Sequence, residues 1–87
     1  MDLSRANAVV VNNVIKNPRG TGISLSAPIG SGVKGAIYNN IIINSGELFI
    51  EVEGDTSKNW NVSIDNNLYY PNGDSVVKFK SNNIGIV

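Results

Sequence analysis

The chain has 87 residues, with seven basic against seven acidic side chains and neither cysteine nor histidine. That length allows one domain with a thin core, and the balanced charge offers no field for nucleic acid or an anionic membrane. Without cysteine there is no disulfide staple, and without histidine the commonest general base and metal ligand is missing.

Fourteen Asn and nine Gly stand among many Val and Ile, a mixture that favours short strands joined by turns over long helices. Residues 1–5 read as a frayed lead-in. Met1-Asp2-Leu3-Ser4 lacks the basic start and apolar stretch of a signal peptide, and no apolar run is long enough to span a bilayer. Beyond the lead-in the chain repeats itself. Asn12-Asn13-Val14-Ile15 returns as Asn39-Asn40-Ile41-Ile42 and again as Asn66-Asn67-Leu68-Tyr69, a period of 27 residues held twice without insertion. A fixed period of this size marks stacked repeats, here coils 6–32, 33–59 and 60–86. Four apolar columns support it: Val10, Ile37 and Ile64; Val14, Ile41 and Leu68; Ile23, Ile50 and Val77; Leu25, Val52 and Phe79.

Within each coil apolar and polar residues alternate, the strand period of two. One strand is expected at Ala8-Val9-Val10-Val11, with Gly35-Ala36-Ile37-Tyr38 and Val62-Ser63-Ile64-Asp65 as its equivalents. After the Asn pair a short strand follows at Val14-Ile15, Ile41-Ile42 and Leu68-Tyr69. Turn residues come next, at Asn17-Pro18-Arg19-Gly20, Asn44-Ser45-Gly46 and Pro71-Asn72-Gly73. A third strand closes each coil at Gly22-Ile23-Ser24-Leu25-Ser26, Phe49-Ile50-Glu51-Val52-Glu53 and Val76-Val77-Lys78-Phe79-Lys80. Three short strands per coil, with coils stacked in register, predict an all-β parallel β-helix of about three coils. Asn13, Asn40 and Asn67 are expected to form a ladder, inward amides bonding from coil to coil. The alternative is three ordinary Asn turns with solvated side chains.

The pattern V-x-V-N-N-V-I, followed by a turn and G-I-S-L, resembles the right-handed parallel β-helix repeat of pectate-lyase-like proteins over nearly the whole chain. Asp65-Asn66-Asn67-Leu68-Tyr69-Tyr70 with Gly73 resembles the last coil of many secreted bacterial β-helix proteins, so the chain looks like a few C-terminal coils of one. Those proteins usually continue into a capping segment, whereas this sequence stops at Ile84-Gly85-Ile86-Val87. The resemblance implies polysaccharide processing or binding, although the fold hosts many functions.

On the outward face of the closing strands stand Ser24 and Ser26, Glu51 and Glu53, and Lys78 and Lys80. The resemblance implies a carbohydrate groove there. Read from spacing alone, Glu51 with Lys78 and Glu53 with Lys80 are cross-strand neighbours in a structural charge ladder, each pair worth about 0.2–1 kcal/mol. Glu51-Val52-Glu53 with Lys58 also resembles the Glu-x-Glu…Lys spacing of the chondroitinase B and alginate lyase family. There the two Glu hold calcium and the Lys abstracts a proton beside the uronate. Here Ser24 falls where that family has a calcium-binding Asn, and no Arg follows in the next coil to stabilise an enolate. Tyr38, Trp60, Tyr69 and Tyr70 are candidates for stacking on sugar rings or, alternatively, for packing against the protein. Gly30-Ser31-Gly32 lacks the Lys and helix of a phosphate loop, and Arg19, Lys34 and Lys58 are too scattered for a nucleic-acid patch.

The expected role is structural or associative, without catalysis; the alternative is a lyase-like or carbohydrate-binding module using the Ser24–Lys80 face. Terminal coils of a solenoid carry polar caps. Here Val10, Val14, Ile23 and Leu25 at one end, and Ile64, Leu68, Val77 and Phe79 at the other, are expected to lie uncovered. That predicts a homo-oligomer, with a closed two-fold dimer favoured.

Overall fold

A computed structural model describes residues 1–5, 7–71 and 76–81 of the chain. Among these residues ten strands follow one another: β1 (Asp2–Leu3), β2 (Asn7–Val11), β3 (Val14–Lys16), β4 (Ile23–Ser26), β5 (Lys34–Tyr38), β6 (Ile41–Ile43), β7 (Ile50–Gly54), β8 (Asn61–Asp65), β9 (Leu68–Tyr70) and β10 (Val77–Ser81). They form three sheets, ordered β1-β4-β7-β10, β2-β5-β8 and β3-β6-β9, and every pairing is parallel. No helix occurs among the described residues. The chain visits the sheets in rotation and returns one strand further along each time. Val10 therefore pairs with Ile37 and Ile37 with Ile64, at the period read in the sequence. All nine expected strands are present. Part of the turn expected at Pro71-Asn72-Gly73, and the stretch Ile84-Gly85-Ile86-Val87, lie outside the described residues.

Alternation sets which side chains enter the core. β4 and β7 bury Ile23, Leu25, Ile50 and Val52 completely, while the residues between them stay partly exposed. With Val10, Ala27, Val33, Ile37, Ile42 and Phe49 they form one apolar cluster between the three sheets. Burying each of the larger members is worth about 1.5–3 kcal/mol.

The Asn pair turns the corner between the second and third sheets, and its two members divide the work. Asn12, Asn39 and Asn66 take the left-handed conformation, at φ 59°, 56° and 54°, which Asn tolerates better than other side-chain-bearing residues. The following residues point inward and form the ladder. Asn13 donates from its backbone N–H and its Nδ2 to Asn40 Oδ1, both at 3.0 Å. Asn40 donates likewise to Asn67 Oδ1, at 2.9 and 3.0 Å. Each Nδ2 also reaches a backbone carbonyl: Asn13 donates to Val11 at 3.1 Å, Asn40 to Val10 and Asn67 to Ile37, the last two at 2.9 Å. Asn40 is only 1% exposed, and these bonds satisfy its buried amide.

That corner corrects one expected column. Val14 and Leu68 are 63% and 59% exposed, and the inward column is Ile15, Ile42 and Tyr69. A left-handed residue shifts the alternation by one: Val10 points in, Val11 and Asn12 out, Asn13 in, Val14 out and Ile15 in. Counting straight through the corner assigns the wrong parity.

The lead-in is a second correction. Residues 1–5 are not frayed throughout, because β1 pairs with β4, setting Asp2 beside Ser24 and Leu3 beside Leu25. Ser24 N–H donates to Met1 C=O at 2.8 Å, and the Met1 ammonium donates to Gly22 C=O at 2.8 Å. An unpaired edge on β4 leaves donors and acceptors for any nearby extended segment, and Leu3 packs against the core from there. Val10, Ile23 and Leu25, expected to lie uncovered, are buried.

Stacked turns explain two glycines. A Cβ on Gly32 would run into the carbonyl of Asn59, and one on Gly46 into the carbonyl of Arg19. Each glycine lies against the turn of a neighbouring circuit, where backbone approaches backbone.

Candidate functional site

Sheet register gathers the six outward candidates of the first sheet into two rows. Ser24, Glu51 and Lys78 form one, with Asp2 of β1 beside Ser24; Ser26, Glu53 and Lys80 form the other. In the second row Lys80 Nζ lies 3.7 Å from a Glu53 oxygen. In the first, Glu51 and Lys78 stand in register without closing to an ion pair. Both lysines are exposed and both glutamates only partly so, since the sheet flanks the shorter side chains. An ion pair of this kind contributes about 0–1 kcal/mol.

The second row forms one wall of an open groove of about 650 Å³. Ser26, Glu53, Lys80 and Ser81 supply its polar side, with Ser4 at the rim, while Ala27, Pro28 and Ile29 supply an apolar side. Ile29 is 74% exposed. The alternation that marks the strands does not mark this apolar turn. Its signal is Ala27-Pro28-Ile29 inside a Gly-rich turn, at positions where the next repeat carries Gly54-Asp55-Thr56.

Lys58 lies away from the strand face, exposed on the turn after β7, where its backbone N–H donates to Asp55 C=O at 3.1 Å. Asp55 organises that turn. Its carboxylate accepts the Ser57 hydroxyl at 2.6 Å and the Ser57 N–H at 2.9 Å, and its carbonyl accepts the Trp60 indole N–H at 2.8 Å. These two Ser57 bonds, the hydroxyl first, hold the Asp55 carboxyl below the ordinary aspartate value; desolvation opposes them and the Lys58 charge assists.

The same face tests the calcium expected from the resemblance. Calcium takes six to eight oxygens. Glu51 and Glu53 have serines on one side and lysine ammoniums on the other, and no third acidic side chain joins them among the described residues. Two carboxylates supply at most four of those oxygens.

The four aromatic candidates separate. Tyr69 points inward, its ring 5.2 Å from that of Phe49, and desolvation raises its phenol above the ordinary tyrosine value. Trp60 is tied to Asp55 and lies 6.3 Å from Phe79. Tyr38 is half-buried, and Tyr70 is 64% exposed.

A different apolar surface lies at the end of the third circuit. Val62, Ile64, Tyr69, Val76, Val77 and Phe79 line an open depression of about 420 Å³. These residues occupy the inward columns, yet the first five are only half-buried and Phe79 is 58% exposed. Their counterparts one circuit earlier, Ile37, Ile42, Ile50 and Val52, are fully buried. The chain matches no family model, no curated protein and no solved structure.

Proposed function

We propose that this chain is a right-handed parallel β-helix segment, of the kind found in pectate-lyase-like proteins, whose role is structural and self-associating. The observation that carries this reading is the half-covered inner column of the third circuit: Val62, Ile64, Tyr69, Val77 and Phe79 lie where a further coil would cover them. Fully burying one such side chain is worth about 1.5–3 kcal/mol, so a second copy seated there regains most of what an open end forfeits. Among the described residues β8, β9 and β10 end their sheets, and such edges offer a row of backbone donors and acceptors to the same partner. Light scattering over a dilution series tests the reading. At least two chains per particle are expected at micromolar concentration, and a cooperatively folded monomer there would overturn it.

The groove beside Glu53 and Lys80 supports a second reading, a carbohydrate-binding face. Its polar row opposite the Pro28–Ile29 wall suits a sugar chain, which presents hydroxyl edges and apolar ring faces. Binding to alginate, pectin or chondroitin that Ile29→Asp abolishes would support it. No binding to any of the three removes it.

A further inference from the structure

The asparagine ladder has a direction. At each step the earlier residue donates and the later one accepts, from Asn13 to Asn40 and from Asn40 to Asn67. Its two ends are therefore unlike. Among the described residues, Asn13 Oδ1 receives no donor and Asn67 N–H finds no acceptor. One end of the molecule offers an acceptor at this corner and the other a donor.

The first sheet differs between the same two ends. β1 holds the edge of β4 through two register pairs, whereas β10 holds β7 through five. Leu3 stands beside Leu25 as Phe79 stands beside Val52. β1 is thus a short stand-in at a place where a longer strand of the β10 type fits.

We infer that copies of this chain stack head to tail: the third circuit of one seats on the first circuit of the next, Asn67 donates to Asn13 of that next copy, and β10 displaces its β1 from β4. The inference rests on the self-association proposed above and supplies its geometry. Each strand pairing it makes has a counterpart inside the chain one circuit earlier. Ile64 seats against Val10 of the next copy as Ile37 lies against Ile64 within one chain, and Tyr69 against Ile15 as Ile42 lies against Tyr69. A five-residue strand makes more ladder bonds than a two-residue one, so the exchange gains hydrogen bonds and covers Phe79. A two-fold stack with its ladders aligned sets donors against donors and turns parallel strands antiparallel, which breaks every column. The closed dimer expected from sequence gives way to an open, heterologous stack. β1 becomes a displaceable cover that keeps the first circuit of a lone chain shut.

Because the chain has no cysteine of its own, one disulfide can hold β1 in place. In the double variant Asp2→Cys, Ser24→Cys the two thiols are register partners on the outward face of the first sheet. The variant is oxidised while dilute, and free-thiol titration and a cooperative melt establish closure and folding. Reduced, its average mass in sedimentation should climb with concentration beyond two chains; oxidised, those larger species should be lost, and reductant should restore them. Assembly that is unaffected by oxidation overturns the displacement of β1, and a mass that stops at two chains in both states identifies a two-fold dimer instead. A monomer in both states, and in the unsubstituted chain, removes the self-association reading itself. Asn13→Leu reads the ladder: it deletes the open acceptor together with the Nδ2 bonds to Asn40 and Val11, while the Asn13 N–H still donates to Asn40, so with a cooperative melt first confirming the fold, association should weaken about tenfold. Unchanged association of that variant overturns the ladder contact.

Discussion

Asn40 Oδ1 accepts two hydrogen bonds from Asn13, one from its backbone N–H and one from its Nδ2. A single buried oxygen thus ties one circuit to the next through both main chain and side chain. Asn40→Leu should take the shared acceptor from both Asn13 donors and the Nδ2 donor from Val10 C=O, while the backbone N–H at position 40 still bonds Asn67 Oδ1, and each stranded group costs about 1–3 kcal/mol. Asn61→Leu, on the exposed side of β8, should change stability by less than about 0.5 kcal/mol. Urea melts of the two variants decide it, and equal midpoints would show that the ladder carries no stability. Asn39 should behave oppositely. At φ 56° Asn39→Gly should be nearly neutral, whereas Asn39→Val should cost about 1–2 kcal/mol.

The shifted parity after the corner has its own test. Ile42→Ala removes a fully buried side chain and should cost about 2–5 kcal/mol. Val14→Thr and Leu68→Thr, one position from the inward column, should each stay within about 0.5 kcal/mol of the parent. If association covers the third circuit, Leu68→Thr is best compared below the assembly concentration. A cost at Val14 comparable to that at Ile42 would show that the third sheet faces the other way.

For the Glu53–Lys80 pair, Lys80→Gln should lower stability by no more than about 1 kcal/mol, and half-molar salt should erase most of that difference. Millimolar calcium should leave the melting temperature of the parent unchanged, since a bound ion would raise it with concentration. A calcium-dependent rise that Glu51→Gln abolishes would restore a metal role to this face.

Asp55 predicts a pH dependence. Its folded carboxyl is more acidic than in the unfolded chain. Its contribution is therefore complete above the unfolded value, near pH 4, and is lost as the pH falls through the folded value. Asp55→Asn should flatten the stability curve below about pH 4 and lower stability somewhat at neutral pH. Ser57→Ala, which removes the hydroxyl bond, should move the acid loss toward higher pH. Superimposable acid limbs for parent and Asp55→Asn would show that this turn does not couple to folding.

Much of the architecture follows from local chemistry repeated at one period. Alternation in Ile23-Ser24-Leu25-Ser26 and its counterparts dictates strands, and the invariant spacing dictates which strand lies beside which. Hence the sheets, the register of Glu53 with Lys80 and the Asn13–Asn40–Asn67 column were all legible in the sequence. The parity of β3, β6 and β9 was not, because one left-handed φ per circuit, at Asn12, Asn39 and Asn66, reverses inside and outside without altering the residue types. Nor was the pairing of β1: Met1-Asp2-Leu3 has no intrinsic pattern and becomes a strand only because β4 offers a free edge. The groove under Ile29 likewise needs a turn folded back over Ser26 and Glu53. Local spacing determined what repeats; what closes each end depended on edges and cavities that exist only once the circuits are stacked.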